Sequence, residues 1–142
     1  MKIAYSHLLS FLEKKPSIEE LSEKLFQIGH EHKIVGEVFD LEITPNRGDC
    51  LSLKGLARDL NYFYSANLEQ QIYREELPEA KLKFHNEAEA LCPNICFVEI
   101  EIEGEVKKYA PYLENYFKDL NLNKNNFFTD ISNYLAYETG QP

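Results

Sequence analysis

The residue types that most often carry chemistry occur in this chain at spacings that do not suit it. Cys92-Pro93-Asn94-Ile95-Cys96 sets three residues between its thiols rather than two, and no second cysteine pair follows to complete a zinc site. His30-Glu31-His32 offers two imidazoles at i and i+2 without a further ligand nearby, which reads as a pair of solvated loop histidines. Glu99, Glu101 and Glu103 alternate with Val98, Ile100 and Ile102, so their carboxylates read as the wet face of a strand that discourages edge pairing, not as a cation site. His85 reads as a surface residue. The sequence has no nucleophile and base at a working spacing, no phosphate-cradling glycine loop and no closed metal set. The chain is therefore expected to bind no metal or cofactor of its own and not to catalyse alone.

The stretch around which the elements are organised is Val38 to Leu60. Phe39, Leu41 and Ile43 alternate with Asp40, Glu42 and Thr44, the period of a strand with one buried face. Pro45-Asn46-Arg47-Gly48 supplies turn residues: proline fixes one φ, asparagine tolerates the left-handed region and glycine enters it freely. Asp49 is expected to cap the helix that follows. Leu53, Leu56, Ala57, Leu60 and Tyr64 then recur at helical spacing, and Gly55 permits close backbone approach.

Upstream, Met1 to Tyr5 reads as a short strand or extended arm, and Ser6 as the cap of a helix bearing Leu8, Leu9 and Leu12 that closes at Lys14 and Lys15. Ser17 and Glu20 form a capping box before Ile18, Leu21, Leu25 and Ile28, and Gly29 is the natural stop. Downstream, Leu68 to Glu79 is a polar passage, Leu82 and Phe84 suggest an edge strand, and Val98 to Glu103 reads as a clear strand. Pro111 suits the first turn of a helix with Leu113, Tyr116, Phe117 and Leu120, and Asn121 to Asn126 is a polar loop.

Composition bounds the function. With 142 residues, 44% of them hydrophobic, the chain can build one ordinary domain or two small ones. A formal charge of −9 opposes polyphosphate binding through a basic face, which argues against DNA as a partner and leaves any RNA contact to other subunits or segments. Three cysteines make no disulfide framework and suit a reducing compartment, and no apolar run approaches the roughly 18 residues of a membrane helix. The expected location is the cytoplasm, with no membrane partner.

The string Glu42-Ile43-Thr44-Pro45-Asn46-Arg47-Gly48-Asp49-Cys50-Leu51-Ser52, continued by Gly55-Leu56-Ala57-Arg58-Asp59, closely resembles a signature of the β subunit of bacterial phenylalanyl-tRNA synthetase. In that family these residues belong to a structural domain near the N-terminus, so the resemblance implies that Thr44, Pro45, Asn46, Arg47 and Asp49 build fold rather than catalyse. The helix pair before Gly29 resembles the family's N-terminus. Between Gly29 and Val38 most bacterial members insert an oligonucleotide-binding barrel; only His30 to Glu37 stands here, so the resemblance is to a shortened form without that tRNA-binding insert. Phe128 to Pro142 resembles the family's segment of Asp, a hydrophobic residue, Thr, Asn and Tyr followed by Gly-Gln-Pro. That segment opens the editing domain, which hydrolyses tyrosine wrongly attached to the phenylalanine tRNA. By position Ser132 stands where the family usually has threonine, Asn133 matches its asparagine and Pro142 a proline at the pocket rim. The residues alone equally allow Asp130 to cap a short helix ended by Gly140, with Asn133 bonding locally.

The resemblance covers most of residues 1–65 and 96–142. It implies an α+β fold in two small units: a helix-helix-strand-turn-helix domain over 1–67, a linker or crossover over 68–82, and an incomplete start of the editing domain over 83–142. Because Pro142 interrupts the second motif, the chain is expected to be part of a longer β chain. That chain would pair with the α subunit as α2β2 and support ATP- and magnesium-dependent phenylalanylation of tRNA(Phe) together with editing of Tyr-tRNA(Phe). Two other classes stay open: a stand-alone adaptor, and a free-standing editing hydrolase, which would need an acid or histidine near Ser132 and Asn133 and has only Glu138 after them.

Overall fold

The computed structural model describes residues 1–66, 76 and 78–141. The chain divides into two units, one of Met1–Glu69 with Lys108–Pro142 and one of Gln70–Lys107. Every helix and strand among the described residues lies in the first, which is α+β. The predicted passage at 68–79 falls largely outside the described residues, as does Pro142.

The first unit is built on a three-stranded antiparallel sheet ordered β1-β3-β2, with β1 at Lys2–Ala4, β2 at Glu31–Val35 and β3 at Val38–Glu42. The predicted alternation holds in β3, where Phe39 and Leu41 are buried while Asp40 and Glu42 face solvent. The stretch expected as a loop between Gly29 and Val38 is instead an edge strand. β2 pairs Val35 with Val38 across a two-residue hairpin whose first position, Gly36, sits at φ +62°.

Helices α1 (Tyr5–Ser10) and α2 (Ile18–Gln27) follow the expected apolar spacing, but only one cap matches its prediction. Ser17 accepts from the Glu20 N–H at 3.2 Å as a capping-box serine should. Ser6 lies inside α1, whose N-cap is Ala4, and its hydroxyl donates to Asp119 at 2.8 Å. α1 stops at Ser10; Lys15, rather than ending the helix, donates its ammonium to the Leu12 carbonyl at 2.6 Å and to that of Leu9. Helix α3 (Leu53–Phe63) buries Leu53, Leu56, Ala57 and Leu60 against the sheet-side core. Helices α4 (Pro111–Asp119) and α5 (Phe127–Thr139) complete the same core with Leu113, Phe117, Tyr134 and Tyr137. Asp130 does not cap α5. Asn126 does, accepting from Thr129 N–H at 3.2 Å, while Asp130 is fully buried and takes the Tyr109 hydroxyl at 2.7 Å. Gly140 ends α5 at φ +76° as expected.

In the second unit the described residues 78–107 carry no helix or strand. The strand expected at Val98 to Glu103, and the edge strand at Leu82 and Phe84, do not form. Period-two alternation makes a strand only where a partner supplies the ladder and a packed face, and Val98 and Ile100 are 68% and 75% exposed. Local contacts hold this segment: Phe84 against Phe97 with centroids 4.6 Å apart, and the Lys81 N–H on the Glu99 carboxylate at 2.7 Å. No helix among the described residues is long and apolar enough to cross a membrane.

Candidate functional site

Four charged residues of the Thr44–Asp59 stretch, Arg47, Asp49, Arg58 and Asp59, come together at one place. Arg47 N–H donates to the Thr44 carbonyl at 2.9 Å, closing the turn, and Cys50 N–H to the Arg47 carbonyl at 2.9 Å, opening a single 3-10 turn at Gly48–Cys50. That turn occupies the place where Asp49 was expected to cap the helix. Ser52 is the N-cap of α3, accepting from Gly55 N–H at 3.0 Å. Gly55 is required there, because a Cβ would lie 1.9 Å from the Asp49 carbonyl oxygen.

Freed from capping, the Asp49 carboxylate binds guanidinium groups. Arg47 Nε reaches its Oδ1 at 3.1 Å and Arg47 Nη2 its Oδ2 at 3.0 Å, and Arg58 closes on the same Oδ2. Arg47 Nη2 also bridges to Asp59 Oδ2 and lies 2.8 Å from Cys50 Sγ, while Arg58 holds Asp59 Oδ1 through Nε at 3.1 Å and Nη2 at 2.9 Å. Two arginines thus clamp two aspartates, one on the turn and one on α3. Hydrogen bonds from Arg47 and then Arg58 hold Asp49 far below the usual carboxylate range. Burial raises Asp59, but the same two donors outweigh it and leave the group below its ordinary value. Both guanidinium groups are driven further toward the charged form by these carboxylates.

Two uncharged groups lie beneath the clamp. Burial, then the charge of Asp59, pushes the Cys50 thiol up to about 12, so it stays protonated at neutral pH and is no nucleophile. His30 was expected in a solvated loop and is 2% exposed; burial, then Arg47, lowers its pKa and keeps it neutral. Its position follows from the end of α2. The Gly29 N–H bonds to Phe26 and the His30 N–H to Leu25, a Schellman arrangement that turns the residue after the glycine back toward the core. His32 is half-buried, with Nε2 2.8 Å from the Ser22 hydroxyl and its ring 4.3 Å from that of Phe26. With its carboxylates ionised and paired, the cluster offers no general acid or base and works as a latch between turn and helix. An open cleft of about 680 Å³ lies beside it, lined by Ile28, Arg47, Arg58, Asp59, Tyr62 and Phe63.

The other predicted site residues lie apart from this latch in character. Thr44, Pro45 and Asn46 are exposed on the turn. Ser132 and Asn133 are exposed on α5, which buries Asp130, Tyr134 and Tyr137. Glu138, the acid noted after them, pairs with Lys54 at 2.7 Å. Cys92 and Cys96 are free and exposed. A second polar cluster, invisible in the sequence, sets His7 Nδ1 3.0 Å from the Tyr137 hydroxyl and His7 Nε2 3.3 Å from Asp119, pinning α1 to α5 and the end of α4.

Sequence comparison identifies relatives of this chain. The β subunit of phenylalanine–tRNA ligase from Rickettsia typhi is 35% identical over 111 residues, covering 74% of this chain and 13% of the relative. The β subunit from Rhodopirellula baltica is 30% identical over 152 aligned positions, covering all of this chain and 22% of the relative. The chain belongs to the phenylalanine–tRNA ligase β-subunit family. It spans about one eighth of the length of the Rickettsia typhi, Psychrobacter arcticus and Rickettsia bellii β subunits it matches. No family model matches the chain, and no solved structure matches it.

Proposed function

We propose that the chain forms part of the β chain of a phenylalanine–tRNA ligase and contributes architecture to it rather than chemistry. The observation that carries this is the 30% identity spread over the whole chain with a ligase β subunit. The latch supports it, since its ionisable groups are spent on one another. In this reading the α subunit binds the assembly as α2β2, ATP and magnesium act within the whole assembly, and tRNA(Phe) is held mainly by parts of the ligase with more favourable charge than −9. Ser132, Asn133 and Pro142 belong to the edge of the editing pocket, whose remaining wall comes from other segments. The solvent exposure of Ser132 and Asn133 leaves their polar groups available for that role.

The test is to purify the native gene product from its own cells through a tag at Met1. It should bring down an α subunit and charge tRNA(Phe) with phenylalanine when ATP and magnesium are supplied. A product that carries neither partner nor charging activity overturns the reading. In the active assembly, Ser132→Ala and Asn133→Ala should let Tyr-tRNA(Phe) accumulate without slowing phenylalanylation, and unchanged levels of the mischarged product would remove them from editing. A stand-alone module is the second reading, favoured by the way α4 and α5 close the core of the first unit. It requires the same purification to yield a monomer.

A further inference from the structure

We propose that His30, Cys50 and Asp59 form a binding site for one borderline-soft divalent cation of the Zn²⁺ type, which takes the place that the Arg47 guanidinium holds in the latch. The three side chains come from three elements: the residue after the α2 stop, the 3-10 turn and the middle of α3. Each offers one donor of a different kind, nitrogen, sulfur and oxygen, and the three donor atoms lie within 4.8 Å of one another. In a tetrahedral zinc site with bonds of about 2.0–2.3 Å, donor atoms stand about 3.3–3.8 Å apart, so only a small contraction is needed.

A second observation points to a ligand. His30 is 2% exposed, and its Nε2 has no hydrogen-bond partner among the described residues, whereas buried polar nitrogens are ordinarily paired. A cation at this cluster would give the imidazole a partner.

The clamp is arranged so that the exchange costs little order. Arg47 contacts Asp59 only through Oδ2, the oxygen 3.6 Å from Cys50 Sγ, while Arg58 holds the other oxygen, Oδ1. Arg58 can therefore keep Asp59 oriented while Oδ2 turns to the metal, which is how an outer carboxylate partner fixes a ligand. Arg47 keeps a hold on Asp49 through Nε on Oδ1, at 3.1 Å, as its Nη2 leaves Asp59 and Cys50. Binding converts the Cys50 thiol to a metal-bound thiolate and releases its proton to solvent. Thiolate and carboxylate then balance the dication. The adjoining cleft, lined by Ile28, Arg47, Arg58 and Asp59, reaches the site on its Asp59 side and offers a cation an approach from solvent there.

The experiment uses the full chain with Cys92→Ser and Cys96→Ser, so that Cys50 is the one thiol left, and titrates it with Co²⁺ and then Zn²⁺. One equivalent of Co²⁺ should bind with a thiolate-to-cobalt charge-transfer absorption that Zn²⁺ abolishes. Cys50→Ser should remove the band, His30→Gln should weaken binding at least about tenfold, and Arg47→Gln, which removes the competing cation, should strengthen it. A second readout leaves the cluster intact: one proton is released per metal ion bound at neutral pH, and Zn²⁺ raises the thermal midpoint. A cobalt complex without the thiolate band, a band that survives Cys50→Ser, or binding without proton release overturns the proposal. None of these results bears on membership of the ligase, so the two readings fail separately.

Discussion

Gly55→Ala tests whether the turn and helix are as tightly joined as the structure requires. On helix propensity alone the change should stabilise α3, because alanine is favoured over glycine in a helix interior by about 1 kcal/mol. The geometry reverses the sign. The new Cβ would lie 1.9 Å from the Asp49 carbonyl oxygen, 2.9 Å from its carbon and 3.0 Å from Ser52 Oγ. Real Cβ contacts keep at least 3.0 Å, so the Asp49 peptide must retreat by more than about 1 Å. That peptide is backbone, fixed by the Cys50 and Leu51 N–H bonds of the 3-10 turn, and it cannot rotate away as a side chain would. Overpacking of this kind costs about 1–3 kcal/mol, and loss of the Ser52 cap adds about 1 kcal/mol. After the propensity gain the net cost is about 2 kcal/mol, a fall in thermal midpoint of roughly 6–10 °C for a chain of this size. Thermal and urea unfolding followed by far-ultraviolet circular dichroism would measure it. Gly48→Ala is the control: nothing stands within 4 Å of its Cβ position, and the expected change is within about 0.5 kcal/mol. A Gly55→Ala chain as stable as the parent, or more so, would refute the close approach.

Asp130→Ala removes the acceptor for both the Tyr109 hydroxyl and the Asn125 N–H, which sit at 2.7 and 3.0 Å, and should cost about 2–3 kcal/mol in urea unfolding; Asp130→Asn keeps one acceptor and should cost less. Ile100→Lys should change stability by less than about 0.5 kcal/mol, since Ile100 is 75% exposed, whereas a strand with a buried face would lose several times that. Stability should also fall as pH drops below the ordinary histidine value of 6.5, because burial lowers the pKa of His7 and His30 in the folded chain. The unfolded chain then takes up the protons first, so stability is complete above that value and declines by up to about 1.4 kcal/mol per pH unit for each uncompensated proton. His7 contributes less than burial alone would give, since Asp119 opposes the shift. A further decline below about pH 4 should follow as Asp49 and Asp59, both depressed in the folded state, become protonated. A urea-unfolding free energy that stays level between pH 7 and 5 would contradict the burial of both histidines.

What could be read from the sequence was what repeats along it. The alternation at Phe39 and Leu41 and the stripe at Leu53, Leu56, Ala57 and Leu60 are dense local patterns, and the structure buries each of these residues. β2 escaped because an edge strand with Ile34 42% and Val35 72% exposed has little apolar face to advertise; the available signal was Gly36-Glu37, a two-residue hairpin loop between two valines. Val98 to Glu103 failed in the opposite direction, since alternation without a partner strand stabilises nothing. His30 escaped because its inward turn depends on the left-handed Gly29 before it. Counting residues from a predicted helix stop would have placed it at the inward position of a Schellman motif. Asn61 and His7, which tie α3 and α5 to the first helix region through Phe11 and Tyr137, are long-range pairings that no local pattern contains.

The polar half of the motif has the same explanation. Arg47, Asp49, Arg58 and Asp59 carry no periodicity, yet they are set by one geometric demand. The chain must leave β3, reverse, and bring the Asp49 carbonyl against Gly55 closely enough that a side chain there is excluded. In the metal-free chain Arg47 binds two carboxylates at once while also lying on a thiol. Arginine has the donors and the rigidity; a lysine ammonium at the same position would be a single point charge. The closeness that excludes a side chain at Gly55 and the reach of Arg47 to both aspartates are therefore two consequences of one short connection between β3 and α3.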